Sequence, residues 1–514
     1  MGTLDSRIAL ALMAKAELVF GNAGVVLAFP IAGSSYTADQ LNFFPEAPTA
    51  EDARVALTGL VDFSTFANAI PDGRVWQTLG DRPALPQIYR RVLEQAEVAA
   101  LPEDPQDLEQ LRAARAVLFT LAPDGTPMDT PAYAAYKSCR DTYVLASQNY
   151  NDKKASGELG GDAASRQAWE AAEPELRAIR DRALEAWQVE GHRAEIDDAH
   201  ARIALLSQKT PVTTWSEWEL RSRQGVGTVT DLANAAFWPT YISPANACDN
   251  GWQLMKLSRG EVQILQGNAP EQLKARLGSA GAALEVDELE FEYTSAKLHR
   301  PWFDSALFPS RFWRPRAQAP MTLSSGSEPY TGECPLYASG VVFFRRIRAT
   351  VKGEAEAVNQ TLGGMGDKLD MGIMSFQRQR VQVAPAVAAV RPDLPAASMH
   401  LARPATIGAV QAGAVAGTLR QPLGAGVQAE RFRSDAPAVL IDPKRRFAMD
   451  AIINKRLVIR KPDLVPQPEP PPVTPPQPGN SVLETAPDDI FILALICTVV
   501  PQSPNPDPAL KWPQ

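Results

Sequence analysis

Residues 490–500, IFILALICTVV, are the stretch that decides how this chain of 514 residues folds. The run is almost entirely apolar and contains β-branched and aromatic side chains. It is too short to cross a bilayer as a helix, because a membrane-spanning helix needs about 20 apolar residues. A strand that is buried on both faces has this composition. We therefore predict a central strand near the C-terminus.

A proline-rich spacer precedes this strand. Residues 466–478, PQPEPPPVTPPQP, favour an extended polyproline conformation. Such a tether lets the last segment return to a sheet that is formed by earlier parts of the chain. The sequence thus predicts a spacer at 465–479 and a C-terminal strand segment at 480–514.

Further strands are predicted upstream of the spacer. Leu289, Phe291 and Tyr293 alternate with glutamates, which is the period-two pattern of a strand with one apolar and one acidic face. Other candidate strands lie at 262–264, 341–351, 371–383, 439–442 and 452–459. Residues 214–464 are accordingly predicted to form a β-rich, sandwich-like domain.

The N-terminal part of the chain carries helix start signals. Thr49 precedes Asp52 by three residues, an acidic variant of the capping box. Asp104 and Thr130 are each followed by a proline, which fits the first position of a helix because its missing N–H costs nothing there. These signals predict a mainly helical domain at 1–213.

One helical segment of this domain differs from the others. Residues 177–202 contain few apolar side chains and charges of both signs, which is typical of an exposed helical hairpin. Pro174 is expected to break or kink the preceding helix, since proline removes a backbone donor. Gly191 is a second weak point. Together with the strands, the helices predict an α+β fold.

The charge distribution is uneven. Lys and Arg number 51 against 59 Asp and Glu, a formal charge of −8, which argues against a protein whose whole body binds nucleic acid. Residues 340–464 nevertheless hold 19 basic and 10 acidic side chains, so they carry +9 and the remainder carries −17. The two regions either neutralise each other, within one molecule or between copies, or leave a basic patch for an acidic partner.

Residues 299–313 contain the most distinctive pattern of aromatic and charged side chains. A catalytic interpretation would pair His299 with Asp304 near Ser305, as a base with its orienter. A nucleophile needs a strained turn and partners fixed by the fold, and the sequence signals neither. We instead predict a structural corner, with Trp302 and Trp313 buried above an ion pair between Arg300 and Asp304.

Other candidate sites fail on spacing. The glycine-rich residues 363–368 lack the phosphate-loop pattern, and Leu369 stands where that loop needs Ser or Thr. His192 and His200 are two helical turns apart, about 12 Å, whereas zinc pairs are usually one turn apart. Without ligand spacing or a secretion signal, reduced thiols are expected at Cys139, Cys248, Cys334 and Cys497. No catalytic, cofactor-binding or metal-ligating residue is predicted.

Three segments bear on possible partners. The basic clusters at 345–348 and 444–446 lie near phenylalanines that we expect to face the core, which argues against nucleic-acid binding. The small, apolar residues 406–427 resemble either a membrane-inserting hairpin or tightly packed loops. At the N-terminus, Lys15 and Glu17 interrupt the apolar run, so a buried helix and strand are expected rather than a signal peptide or membrane span.

Three blocks together resemble a group of large hypothetical proteins from bacteria and fungi. They are LPQIYRRVLEQAEVA at 85–99, RPWFDSALFPSRFW at 300–313 and VVPQSPNPDPALKW at 499–512. The resemblance implies a helical N-terminal half joined to a β-rich half, and it implies no catalytic residue.

These observations predict a non-enzymatic structural or interaction protein. We expect self-association into a homo-oligomer, no cofactor and a cytoplasmic location, with export by a non-classical route left open. The alternative is a membrane-active protein of the pore-forming type, in which residues 406–427 or amphipathic helices would rearrange at a bilayer.

Overall fold

The computed structural model describes residues 6–21, 24–45, 48–76, 83–121, 127–159, 163–224, 227–229, 235–249, 251–268, 285–352, 368–370, 375–378, 480–485 and 488–512. The helices of these ranges are α1 (Ser6–Phe20), α2 (Ala38–Leu41), α3 (Ala50–Ala67), α4 (Leu85–Gln95), α5 (Pro105–Leu118), α6 (Pro131–Leu159), α7 (Ala163–Val189), α8 (Arg193–Lys209), α9 (Pro211–Gln224) and α10 (Arg259–Asn268).

The strands of the same ranges are β1 (Val25–Pro30), β2 (Ala32–Tyr36), β3 (Val75–Trp76), β4 (Ala96–Val98), β5 (Phe119–Leu121), β6 (Pro127–Asp129), β7 (Gly227–Val229), β8 (Ala235–Phe237), β9 (Tyr241–Ser243), β10 (Gln253–Ser258), β11 (Glu285–His299), β12 (Trp313–Pro315), β13 (Leu336–Lys352), β14 (Lys368–Asp370), β15 (Ser375–Arg378), β16 (Asn480–Glu484) and β17 (Ile490–Val499). A short 3₁₀ helix spans Ser305–Leu307.

The C-terminal strand β17 lies inside the main sheet, as its sequence predicts. The strand order is β10-β11-β13-β17-β2-β15-β14, with β1, β3, β9 and β16 attached at the sides. β17 pairs antiparallel with β13 on one edge. Its other edge pairs with β2 at Ile490 and with β1 at Thr498. Both edges and both faces of this strand are therefore occupied.

Helices cover the two faces of the sheet. Leu493 and Phe344 pack into an apolar cluster with α1 and α10. Ile492 and Phe343, which point to the opposite face, pack into a second cluster with α3. This double coverage explains the continuous apolar composition of β17. The predicted α+β class is confirmed, and the sandwich-like detail stays a prediction.

The predicted division of the chain at residue 213 also stays a prediction. In the structure, β1 and β2 come from the N-terminal part and pair with the C-terminal β17. β11 and β13 are confirmed, and Leu289, Phe291 and Tyr293 are buried. β15 lies within the predicted strand 371–383. The candidate strands at 439–442 and 452–459, and the spacer at 465–479, lie outside the described residues.

The strand predicted at 262–264 is wrong, because these residues belong to α10. The amide of Glu261 donates to Ser258 Oγ at 3.2 Å, which caps the helix start. Val262 and Leu265 then face the core at helical spacing. A three-residue apolar run does not distinguish a strand from a helix segment.

The predicted helix starts are confirmed. Asp52 N donates to Thr49 Oγ1 at 3.2 Å and Thr49 N donates to Asp52 Oδ2 at 2.9 Å, a complete capping box at α3. Asp104 caps α5. Gln106 N donates to its Oδ1 at 2.8 Å. Tyr133 N donates to Thr130 Oγ1 at 3.2 Å at the start of α6.

Of the break or kink predicted at Pro174, the break is wrong, because α7 continues through this residue, and the kink stays a prediction. Pro174 is exposed, and the carbonyl that loses its donor belongs to Glu170, also exposed, where water can satisfy it. The chain turns at the predicted weak point, Gly191, because α7 ends at Val189 and α8 begins after His192, whose φ of 49° lies in the left-handed region. α7 packs mainly along α6 and α8 mainly along α5, so the exposed hairpin of this region is formed by α6 and α7 rather than by residues 177–202.

None of the helices in the described ranges is at once long enough and apolar enough to cross a bilayer.

Candidate functional site

A group of buried charges lies where α1, α6, β10 and α10 meet. Lys15 Nζ lies 3.1 Å from Asp152 Oδ1 and 2.8 Å from Glu261 Oε1, and these side chains are at most 3% exposed. Nζ also donates to Ser156 Oγ at 2.7 Å and to Lys256 O at 2.6 Å. An ammonium has three donors and no lone pair. Four oxygen atoms surround Nζ, two as hydrogen-bond acceptors and two as carboxylate ion-pair partners, so Lys15 joins α1 to α6, β10 and α10.

Two lysine side chains bind backbone carbonyls on the outer edge of β10. Lys15 Nζ donates to the carbonyl of Lys256, and Lys153 Nζ donates to the carbonyl of Leu254 at 2.7 Å. Lys153 also lies 2.9 Å from Asp152 Oδ2. Alternate carbonyls of an edge strand are the acceptors that an added strand would use. The cluster therefore blocks strand addition at this end of the described sheet.

Arg300 is buried, and none of its hydrogen-bond partners within the described residues is a carboxylate. Its Nε donates to Asn68 Oδ1 at 2.8 Å, Nη1 to Ala338 O at 2.6 Å and Nη2 to Ala67 O at 2.7 Å. Ala67 and Asn68 form the C-terminal end of α3, where the helix dipole is negative. Burial lowers the pKa of Arg300 to about 10. This side chain joins α3 to β13, and each of its three nitrogens donates to one of these elements.

The predicted ion pair between Arg300 and Asp304 is wrong. Asp304 Oδ2 accepts instead from Arg221 Nη1 at 3.0 Å, and its Oδ1 accepts from Ala306 N at 3.0 Å at the start of the 3₁₀ helix. The end of α3 offers Arg300 several buried acceptors, whereas Asp304 lies near the surface beside α9. His299, which a catalytic interpretation would pair with Asp304, is the last residue of β11 and lies opposite Tyr241.

The corner around these residues is packed with aromatic rings. Trp302 and Trp313 are fully buried, as predicted. Trp302 Nε1 donates to Pro239 O at 3.0 Å, and Trp313 Nε1 donates to Leu307 O at 2.9 Å. A buried indole with its N–H satisfied contributes packing without an unpaired donor.

Arg345 and Arg346 of the basic cluster at 345–348 contact other side chains of the same chain. Arg345 Nε donates to Glu292 Oε2 at 2.8 Å and its guanidinium lies 4.0 Å from the centre of the Trp252 ring. Arg346 Nη1 donates to Glu292 Oε1 at 3.0 Å. The adjacent Phe343 and Phe344 are buried, as predicted. The second basic cluster, at 444–446, lies outside the described residues.

The other candidate site residues are not brought together in one group within the described ranges. His192 is exposed, 3.7 Å from Glu195. All four cysteines are free, and burial raises the pKa of Cys334 to about 12. Within the described residues, no group of three or more His, Cys, Asp or Glu is placed to hold a metal. Of the glycine-rich loop only Lys368 is described, and 406–427 lie outside the described part. The prediction of no catalytic, cofactor or metal site stays a prediction.

The outer helical layer, defined as α6, α7 and α8, contrasts with these buried clusters. Trp187 of α7 stacks on Tyr143 of α6 with ring centres 5.6 Å apart, and Arg193 lies 4.0 Å from its ring centre. At the other end of the hairpin, Trp169 crosses α6 at Gly157. A Cβ on Gly157 would lie 2.2 Å from Trp169 Cβ, so only glycine permits this approach.

α7 is exposed along the side that faces away from α6. Of its 27 residues, Ala183 is the one that is buried. Ile179 and Val189 are 39% and 70% exposed. The low apolar content of residues 177–202 indicates this exposure in the sequence. The sequence does not indicate the cluster of Lys15, Asp152 and Glu261, and its one available signal is a lysine within an apolar helical run.

Comparison of the chain with protein-family models, with curated proteins and with solved structures finds no match. The resemblance to hypothetical proteins from bacteria and fungi stays a prediction.

Proposed function

We propose that the protein is a non-enzymatic structural or interaction protein that associates with itself through the outer helical layer. The observation that carries this proposal is the exposure of α7, in which a single residue is buried. Most helical stability in proteins comes from packing an apolar face rather than from intrinsic propensity. A long helix that contributes so little to the core is best explained by contacts outside the monomer.

The state of the buried polar groups supports a non-enzymatic role. Lys15 is held by two hydrogen bonds and two ion pairs, and Arg300 by a side-chain amide and two carbonyls. A catalytic base or nucleophile needs a group that is free to exchange a proton with a substrate. These two cations instead join helices to the sheet.

Sedimentation velocity of the full chain tests self-association. We expect the average mass to rise with protein concentration. Contacts between opposed exposed charges should weaken as salt is added, because charges more than about 8 Å apart are screened at physiological ionic strength. A monomer mass at every concentration and salt would overturn the proposal.

The membrane-active alternative depends on residues 406–427, which lie outside the described ranges, and the cytoplasmic location likewise stays a prediction. Release of a dye from liposomes separates the two functions. Under our proposal the protein leaves liposomes intact at concentrations at which it self-associates, and dye release would favour the alternative.

A further inference from the structure

α7 carries a second stripe of residues on the side away from α6. Its members follow one another at spacings of four and three residues, and all are exposed: Ala164, Ala168, Ala171, Glu175, Ala178, Arg182, Glu185 and Val189. We call them the outer seam. The side of α7 that holds Trp169, Leu176, Ala183 and Trp187 is the more buried one. A spacing of 3.5 residues keeps a stripe facing one partner helix over several turns.

Two pairs of outer-seam residues are symmetric about the midpoint between Ala178 and Ile179. Glu175 and Arg182 lie equally far from that midpoint on opposite sides. Ala168 and Val189 form the other pair within the seam, one small and one larger side chain. If a second copy of the helix runs antiparallel across a two-fold axis at the midpoint, residues equally far from it meet. Glu175 then meets the opposite charge, and Val189 meets the space beside an alanine.

We propose that the outer seam of α7 docks on the outer seam of a second copy of this chain, antiparallel and across a two-fold axis. This inference rests on the proposed self-association and names its surface. Each contact has two identical ion pairs, between Glu175 and the partner's Arg182. At these charges and at the Ala168–Val189 pair, the surface meets the requirement of a two-fold interface, in which one patch must complement itself.

Charge selects this arrangement over its competitors. A parallel pair in register would place Glu175 against the same glutamate and Arg182 against the same arginine, and like charges on facing helices repel. Glu175 and Arg182 make no ion pair with another residue of the described ranges, and Arg182 Nε donates only within α7, to Ala178 O at 3.2 Å. Both charges are therefore available to a partner.

The experiment uses two charge reversals, Glu175→Arg and Arg182→Glu, in the full chain. Each one alone puts two like charges at both ion-pair positions. We expect each to weaken association roughly tenfold or more, since both attractive pairs become repulsive. A 1:1 mixture of the two variants places opposite charges together again and should form a heterodimer. The double variant, with both reversals, should regain the affinity of the original protein.

Glu170→Arg is the matched control, because Glu170 is exposed on α7 but lies off the outer seam. It makes the same charge change and should leave association within about twofold. Circular dichroism checks that every variant keeps its helix content. All are compared by sedimentation velocity over the same concentrations.

The outcomes separate this inference from the proposed function. If the original protein self-associates but the two reversals and their mixture behave like it, the outer seam is not the contact, and self-association stands. If the original protein is a monomer at all concentrations, self-association itself is wrong. Association in the 1:1 mixture of Glu175→Arg and Arg182→Glu that neither variant shows alone supports the two-fold docking.

Discussion

β17 and α7 occupy opposite extremes of burial in one molecule. β17 has partners on both edges and apolar layers on both faces, whereas α7 buries one alanine. The strand therefore completes the centre of the sheet, and its composition alone predicts that central position. The helix is held against α6 by rings and cations but contributes little to the core. The difference indicates that the centre of the sheet has no surface left for a partner, whereas the outer helical layer is available for contacts.

Removing β17 should have the largest effect. Truncation after Pro478 deletes β16 and β17 and exposes the edges of β13, β1 and β2. Unpaired strand edges lead to aggregation. We expect an insoluble product on expression, measured as the soluble fraction beside the full chain. A soluble monomer with the original melting temperature would contradict the central position of β17.

The buried cluster provides the next prediction. Lys15→Met leaves Asp152 and Glu261 buried with their shared cation removed, which should lower the free energy of unfolding by about 3–5 kcal/mol. Lys153→Met is the matched control, because that lysine contacts the same aspartate but its side chain is 39% exposed. It should cost under about 1 kcal/mol. Urea unfolding measures both, and equal effects would refute the tethering role of Lys15.

Two tryptophan substitutions compare the corner with the helical layer. Trp302→Ala removes a fully buried ring, and we expect it to cost about 3–5 kcal/mol. Trp187→Ala removes a half-buried ring that contacts two tyrosines and an arginine of the outer layer. Such contacts contribute about 0.5–1.5 kcal/mol each, so a smaller loss is expected. Thermal melts of both variants provide the comparison, which fails if Trp187→Ala is the more damaging.

Thiol alkylation provides the mildest test, without any substitution. Cys139 is half-buried on α6, whereas Cys248, Cys334 and Cys497 are buried. Burial raises the pKa of the Cys334 thiol to about 12, so it carries little thiolate at neutral pH. Native protein treated with iodoacetamide should be modified first at Cys139, as read by peptide mass spectrometry. Early modification at Cys334 would mean that the core around it opens.

The sequence predicted elements whose pattern repeats locally, and it failed where the partner is distant. β11 and β17 follow from alternation and from a continuous apolar run. The sequence pattern pairs Arg300 with nearby Asp304, whereas its acceptors lie at the end of α3 and on β13. In the sequence Lys15 only interrupts an apolar run, because Asp152 and Glu261 reach it from other elements. The partners of Arg300 and Lys15 are set by tertiary contacts between distant elements, and a local sequence pattern does not predict such contacts.

Hydrogen–deuterium exchange at two protein concentrations tests most directly whether the outer helical layer is the contact. Amides of an exposed helix exchange through local opening, which a bound partner suppresses. We expect exchange in peptides from α7 to slow at high concentration, while exchange in peptides from β17 stays unchanged. If α7 exchanges at the same rate at both concentrations while the mass rises, the contact lies elsewhere and the account is contradicted.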